Sequence, residues 1–247
     1  MANRNGRAVL KNIGAGLAVP VLAAGYGAYL LQAASSGALY FYIHPIYVVP
    51  TVLTGLVLLA LAVACVPGGG DGDHEHRPPG RLTVIALALP LALGFLLPAQ
   101  PLSAVSAWQR GVTLGGSMGP VEGAPELALG RRPESYTIKD WVKAFQADPE
   151  PSRHAGKRAR VTGFVHRDDR LPSDWFMVAR FVLKCCAVDA QPVGLPVRSD
   201  GRAGAEPGGW VTVEGAWEVA EVAGERRAVL RAARITPTPR PEQPYLY

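Results

Sequence analysis

The chain has 247 residues, 49% of them hydrophobic, with 25 Lys and Arg against 20 Asp and Glu for a net charge of +5. That length suits one small membrane module plus one soluble domain of roughly 100–150 residues. The basic residues are scattered, with no dense patch and no stacking-aromatic motif, which argues against a nucleic-acid partner.

The distribution of charge sets the organisation. From Asn12 to Gly70 there is no Asp, Glu, Lys or Arg, whereas charges are frequent after Arg131. Apolar runs predict about three transmembrane helices within residues 1–98, near 13–31, 46–66 and 82–98. About 20 residues span the hydrocarbon and about 17 is the lower limit, so the third run is marginal. A cleaved signal peptide is the rival reading of the first run, with Arg4, Arg7 and Lys11 as its basic start and small residues at Ala33–Ala38. The run is longer than such segments usually are, which favours a retained helix. Gly14, Gly16, Gly25 and Gly27 offer small contact positions. Pro20, Pro50 and Pro90 fall inside the spans and read as kinks. Arg4, Arg7 and Lys11 precede the first span, and Arg77 and Arg81 lie between the second and third. The loop from Gln32 to Pro45 has neither Lys nor Arg. The positive-inside rule then places the N-terminus in the cytoplasm and, after three spans, the C-terminal domain outside the cell membrane.

Residues 99–133 are rich in Gly, Pro, Ser and Ala and read as a linker. Residues 134–247 read as a mostly β domain. Its first element is a helix from Tyr136 to Ala147, capped by Thr137 with Asp140 three residues on, and Ile138, Trp141, Val142 and Phe145 form one apolar face. After Pro149 the period changes to two. Strands are expected at Lys157–His166, Trp175–Lys184, Gly194–Arg198, Trp210–Trp217 and Arg227–Ile235. Five short strands with a flanking helix suggest an OB-like five-stranded barrel, with Gly163 and Gly215 where strands must bend sharply.

Cys185 and Cys186 are the residues most open to chemistry. Neighbours on a strand point to opposite faces, so two thiols there cannot share one ligand without a bulge. Three readings stay open: a buried structural pair, a metal site completed by Asp189 or by His166 on the preceding strand, and a redox pair. Arg180 and Asp189 flank the thiols with opposite charges, as a structural ion pair or as substrate contacts. His44, beside Pro45 at the membrane edge, reads as a partner or ion-path contact or as an interfacial hydrogen bond. Asp71, Asp73, His74, Glu75 and His76 form a small cluster in a loop. There is no phosphate-cradling Gly-Lys-Ser/Thr loop, no Gly-x-Ser-x-Gly elbow and no His-Glu-x-x-His helix, and nothing argues for an enzyme.

Three stretches together resemble a bacterial family of permease subunits: Tyr40-Phe-Tyr-Ile-His44-Pro45, Gly156-Lys-Arg-Ala-Arg-Val-Thr-Gly-Phe-Val165, and Arg180-Phe-Val-Leu-Lys-Cys185-Cys186-Ala-Val-Asp189-Ala-Gln-Pro-Val-Gly194. The run Arg-Phe-Val-x-x-Cys-Cys-Ala-x-Asp-Ala is its specific part. The resemblance implies a helical membrane region, a C-terminal domain and a role as the small partner of a larger multi-spanning permease. Many members also carry a longer His-rich stretch before the third helix, of which this chain has only His74-Glu75-His76. The expectation is thus a non-enzymatic accessory subunit of a membrane permease, in contact with that subunit and with the lipid bilayer. The alternative is a membrane-anchored metal-binding or thiol-bearing module using Cys185 and Cys186, with a divalent metal as cofactor.

Overall fold

The computed structural model describes residues 3–65, 79–114, 132–169, 171–201, 206–222 and 224–247. The chain divides into two compact units, Met1–Gln100 and Pro101–Tyr247. The His74-containing loop cluster lies outside the described residues.

The first unit is helical: α1 (Asn3–Ser35), α2 (Val48–Ala64) and α3 (Arg81–Leu96). Two stretches, Leu17–Ser35 and Pro45–Ala64, are long and apolar enough to cross a membrane. α3 is apolar but has 16 residues, about 24 Å at 1.5 Å per residue against a hydrocarbon core of about 30 Å.

Small residues let these helices meet. A Cβ on Gly27 would lie 2.8 Å from the Gly55 carbonyl oxygen, so α1 and α2 touch backbone to backbone there. A Cβ on Gly94 of α3 would stand 2.9 Å from the Tyr29 ring of α1, and Tyr29 meets Phe95 edge to face at 5.4 Å. Pro90 lacks the N–H that would bond four residues back and so loosens the ladder just below it. In the same helix the Leu87 carbonyl accepts the Tyr26 hydroxyl of α1 at 2.7 Å. Pro50 is no interior kink: it is the third residue of α2, where its missing N–H would have had no helical partner.

The second unit begins earlier than the sequence suggests. Part of the expected linker is ordered structure: α4 (Ala104–Arg110) and β1 (Thr113–Leu114). The helix α5 (Ile138–Ala147) follows, with Thr137 as cap; its hydroxyl accepts the Asp140 N–H while the Asp140 carboxylate accepts the Thr137 N–H, a reciprocal capping box. The strands are β2 (Arg158–His166), β3 (Trp175–Val182), β4 (Gln191–Arg198), β5 (Trp210–Val222), β6 (Glu225–Pro237) and β7 (Tyr245–Leu246). They form one sheet in the order β1-β4-β6-β5-β2-β3-β7, and β3 and β4 also pair. The pairings among β2, β3, β4, β6 and β5 therefore return to β2. All are antiparallel except β4 with β6.

Three strands, β4, β5 and β6, run longer than predicted. β4 holds Pro192 and Pro196, which demote a strand in sequence, yet it pairs with β3 over its whole length. β5 and β6 continue together to Val222 and Glu225, where Gly224 turns the chain at φ +82°. A bulge interrupts their register at Glu214 and Gly215. A Cβ on Gly215 would overlap the Arg231 carbonyl, and one on Gly163 the Ala179 carbonyl. Both glycines permit the backbone contact that bends these strands.

The sheet is buried on both faces along β3. Phe176, Val178 and Val182 join α5 and the inward residues of β2, β4, β5 and β6 in one core. Trp175, Met177, Ala179 and Phe181 alternate with them and enter a second core, with Ala107, Val112, Phe164 and Tyr245. α4 and β7 thus cover a face that would otherwise be exposed.

Candidate metal centre

The site is built where β3 ends. The sequence suggests a strand running to Lys184, but β3 stops at Val182 and residues 183–190 form a loop leading into β4. Leaving the strand removes the alternation that would send neighbouring side chains to opposite faces. The Cys185 and Cys186 sulfurs accordingly lie 3.7 Å apart. Cys185 is exposed and Cys186 half-buried, which does not fit the first of the three readings, a buried structural pair.

Asp189 organises the loop. Its Oδ1 accepts the Lys184 N–H at 2.9 Å, and its Oδ2 accepts those of Cys185 at 2.7 Å and Cys186 at 3.1 Å. The Asp189 N–H returns to the Cys186 carbonyl at 3.1 Å. Three consecutive N–H groups aimed at one carboxylate make a compact anion nest. Partial burial acts against ionisation of Asp189. The Cys185 thiol and the three backbone N–H groups outweigh it and hold the carboxyl down at about 2. The same carboxylate, hydrogen-bonded to the thiol, together with the Cys186 sulfur, pushes Cys185 up to about 12.

The loop is also held from outside. The Arg110 Nη1, at the end of α4, donates to the carbonyls of Ala190 at 2.7 Å, Ala187 at 3.2 Å and Val188 at 3.5 Å. Sequence reading missed Arg110 because it stands in a Gly- and Pro-rich stretch 75 residues before Cys185. The one available signal was its place at the end of a short Ala- and Trp-containing run.

One donor atom each from Cys185, Cys186 and Asp189 lie within 4.8 Å of one another. His166 is not in this group. It is buried at the end of β2, edge to face with Trp108 of α4 at 5.7 Å. Arg180 does not reach Asp189. Its Nε and Nη2 donate to the Pro244 and Gln243 carbonyls at 3.1 and 2.5 Å, and its guanidinium lies 5.6 Å from the Trp210 ring. Arg180 therefore straps down the segment that carries β7, and burial draws its guanidinium down from its ordinary value. His44, in the first unit, caps a short helical turn over Pro45–Tyr47; its Nδ1 accepts the Ile46 N–H at 3.2 Å.

Residues 136–247 match the family model described as the DUF1980 C-terminal domain. The DUF1980 match takes in α5, the strands from β2 onward and all three donors. It leaves α4 and β1 outside, so Arg110 supports the site from beyond the matched segment. No curated protein matches the chain.

A carboxylate and two thiols on a held, solvent-facing loop offer one hard oxygen donor and two soft sulfur donors to a thiophilic ion. Two sulfurs bound at about 2.3 Å to a tetrahedral ion stand about 3.8 Å apart, close to the 3.7 Å between these two. Among the described residues no fourth donor joins the group, which leaves a coordination position for water or an incoming ligand.

Proposed function

We propose that this chain is a membrane-anchored, non-enzymatic module that binds a thiophilic divalent metal ion, zinc being the test ion, through Cys185, Cys186 and Asp189. The observation that carries this reading is the grouping of three donor atoms within 4.8 Å on a loop pre-arranged by Asp189 and Arg110. Metal binding must displace the proton that Asp189 helps to hold on Cys185, so affinity rises with pH. The cyclic strand pairing, with α5 packed against the core it shares, supports reading the domain as an OB-like five-stranded barrel, which gives the loop a rigid mount. The experiment is metal analysis of the full chain, purified anaerobically in detergent without chelator. About one metal per chain, lost in Cys185→Ser and in Cys186→Ser, supports the reading. A metal-free protein that takes up no zinc on titration refutes it.

A second reading concerns the setting of this module: it is the small subunit of a larger multi-spanning permease. The motif resemblance supports it, and so do the helices of the first unit. Val49, Leu53, Val57, Leu82, Ile85 and Leu96 are exposed apolar residues on α2 and α3. As a third span, α3 is short for the bilayer, and a short span is relieved by packing against another membrane protein. In this arrangement the N-terminus is cytoplasmic, the domain faces outward and His44 lies near the outer interface, as the Lys and Arg distribution favours. Cross-linking at native expression tests it: capture of a multi-spanning membrane protein is expected, and isolation as a lone chain would overturn it.

A further inference from the structure

The two thiols of the loop bear on more than ligand binding. They are adjacent in sequence, their sulfurs are 3.7 Å apart, and one is open to solvent. Each member of the pair has the other as its near sulfur. The loop that carries them is tied by hydrogen bonds from Arg110 to its carbonyls and from its N–H groups to Asp189, and these remain when the thiols react.

We propose that Cys185 and Cys186 are a reversible vicinal dithiol–disulfide pair, a redox-modification site that governs whether the metal site can fill. Only the second half of this rests on the metal-binding reading. The oxidant is a low-molecular-weight disulfide, RS–SR. The Cys186 thiolate attacks one sulfur of RS–SR, forming a mixed disulfide and expelling RS⁻. Cys185 then attacks the Cys186 sulfur of that mixed disulfide, and the second RS⁻ leaves. Two protons from the thiols convert both leaving groups to RSH. The sum is protein(SH)₂ + RS–SR → protein(S–S) + 2 RSH: the pair loses two electrons and the reagent gains them.

The geometry points to a switch more than a staple. Consecutive Cα atoms are about 3.8 Å apart, closer than the 4.4–6.8 Å usual across a disulfide. A bond closed over so short a span is strained, and strained, exposed disulfides are the readily reduced ones. Closure also consumes both thiolate donors and leaves Asp189 alone, which is too little to hold a thiophilic ion.

The test uses the full chain in detergent, equilibrated with mixtures of reduced and oxidised glutathione, acid-quenched and digested with trypsin. Cleavage after Lys184 and Arg198 leaves both cysteines in one peptide. Across the series that peptide is expected to convert from a form that alkylates twice to one about two mass units lighter that does not alkylate, and to return under excess reduced glutathione. In Cys185→Ser, Cys186 is expected to accumulate as the glutathione mixed disulfide. Two independent glutathione adducts in the native chain, or two free thiols throughout, would overturn the proposal. Zinc titration of each form separates the two ideas. Zinc uptake by the reduced form alone supports both. A disulfide that forms and reverses in a chain that never takes up zinc leaves the redox pair standing and removes the metal reading. Equal zinc uptake by both forms overturns the control of filling.

Discussion

Replacing Asp189 by Asn tests the electrostatic core of the site. The carboxylate is a hydrogen-bond acceptor for the Cys185 thiol and a nearby negative charge, and it leads the influences that raise this thiol to about 12 from an ordinary value near 9. If the substitution returned the thiol fully to that value, its thiolate fraction near neutral pH would rise about a thousandfold. The more acidic thiolate is a weaker nucleophile, with a Brønsted coefficient of about 0.4–0.5, so the net gain in reaction rate is about thirtyfold. The Cys186 sulfur also contributes to the shift, so we expect about tenfold. The assay is the rate of iodoacetamide alkylation of Cys185 at pH 7.5, compared between Cys65→Ser/Cys186→Ser chains with and without Asp189→Asn. An unchanged or slower rate refutes the claim that Asp189 holds the proton on Cys185.

Other expectations follow from the same geometry. Asp189 is held near 2, so its contribution to the loop is present above its ordinary value and is lost as pH falls from about 4 to about 2. Cys185, shifted upward, contributes below about 9 and loses that contribution as pH rises toward about 12; the amide shifts of Lys184, Cys185 and Cys186 should titrate at the acid end with an apparent value near 2, and a midpoint near 4 would contradict the nest. Zinc affinity, read by chelator competition, should rise by up to about 100-fold per pH unit between pH 6 and 8, as two thiol protons are displaced, and a flat profile would exclude thiolate ligation. Arg110→Ala removes charged hydrogen bonds to three loop carbonyls, worth about 1–2 kcal/mol at this partly exposed place, so hydrogen exchange of the loop amides should accelerate while that of β5 and β6 stays unchanged. Gly55→Leu drives a side chain against the Gly27 backbone and should destabilise the α1–α2 pair by about 1–3 kcal/mol, seen as a lower melting temperature in detergent with the second unit unaffected.

Much of this architecture is local and was legible in the chain. A charge-free stretch of apolar residues makes helices because only internal hydrogen bonding satisfies a backbone among apolar side chains. The capping box at Thr137 and Asp140 needs only neighbours three apart. The inward faces of β2 and β5 follow from period-two alternation, as Ala159, Val161, Val165, Val211 and Val213 confirm. What the chain alone could not disclose depends on residues far apart. The second core exists because α4 and β7 return to cover the outer face of β3, so Phe164 and Phe181, on faces that alternation alone would leave to solvent, are buried. Arg180, read as a partner of Asp189, instead ties the segment before β7. The thiol site itself turns on where β3 ends. Alternation along an extended strand would have parted the two sulfurs; the early exit into a loop, fixed by Asp189 from within and by Arg110 from 75 residues upstream, brings them together, because a side chain's direction follows the local backbone and the local backbone here is set by tertiary hydrogen bonds.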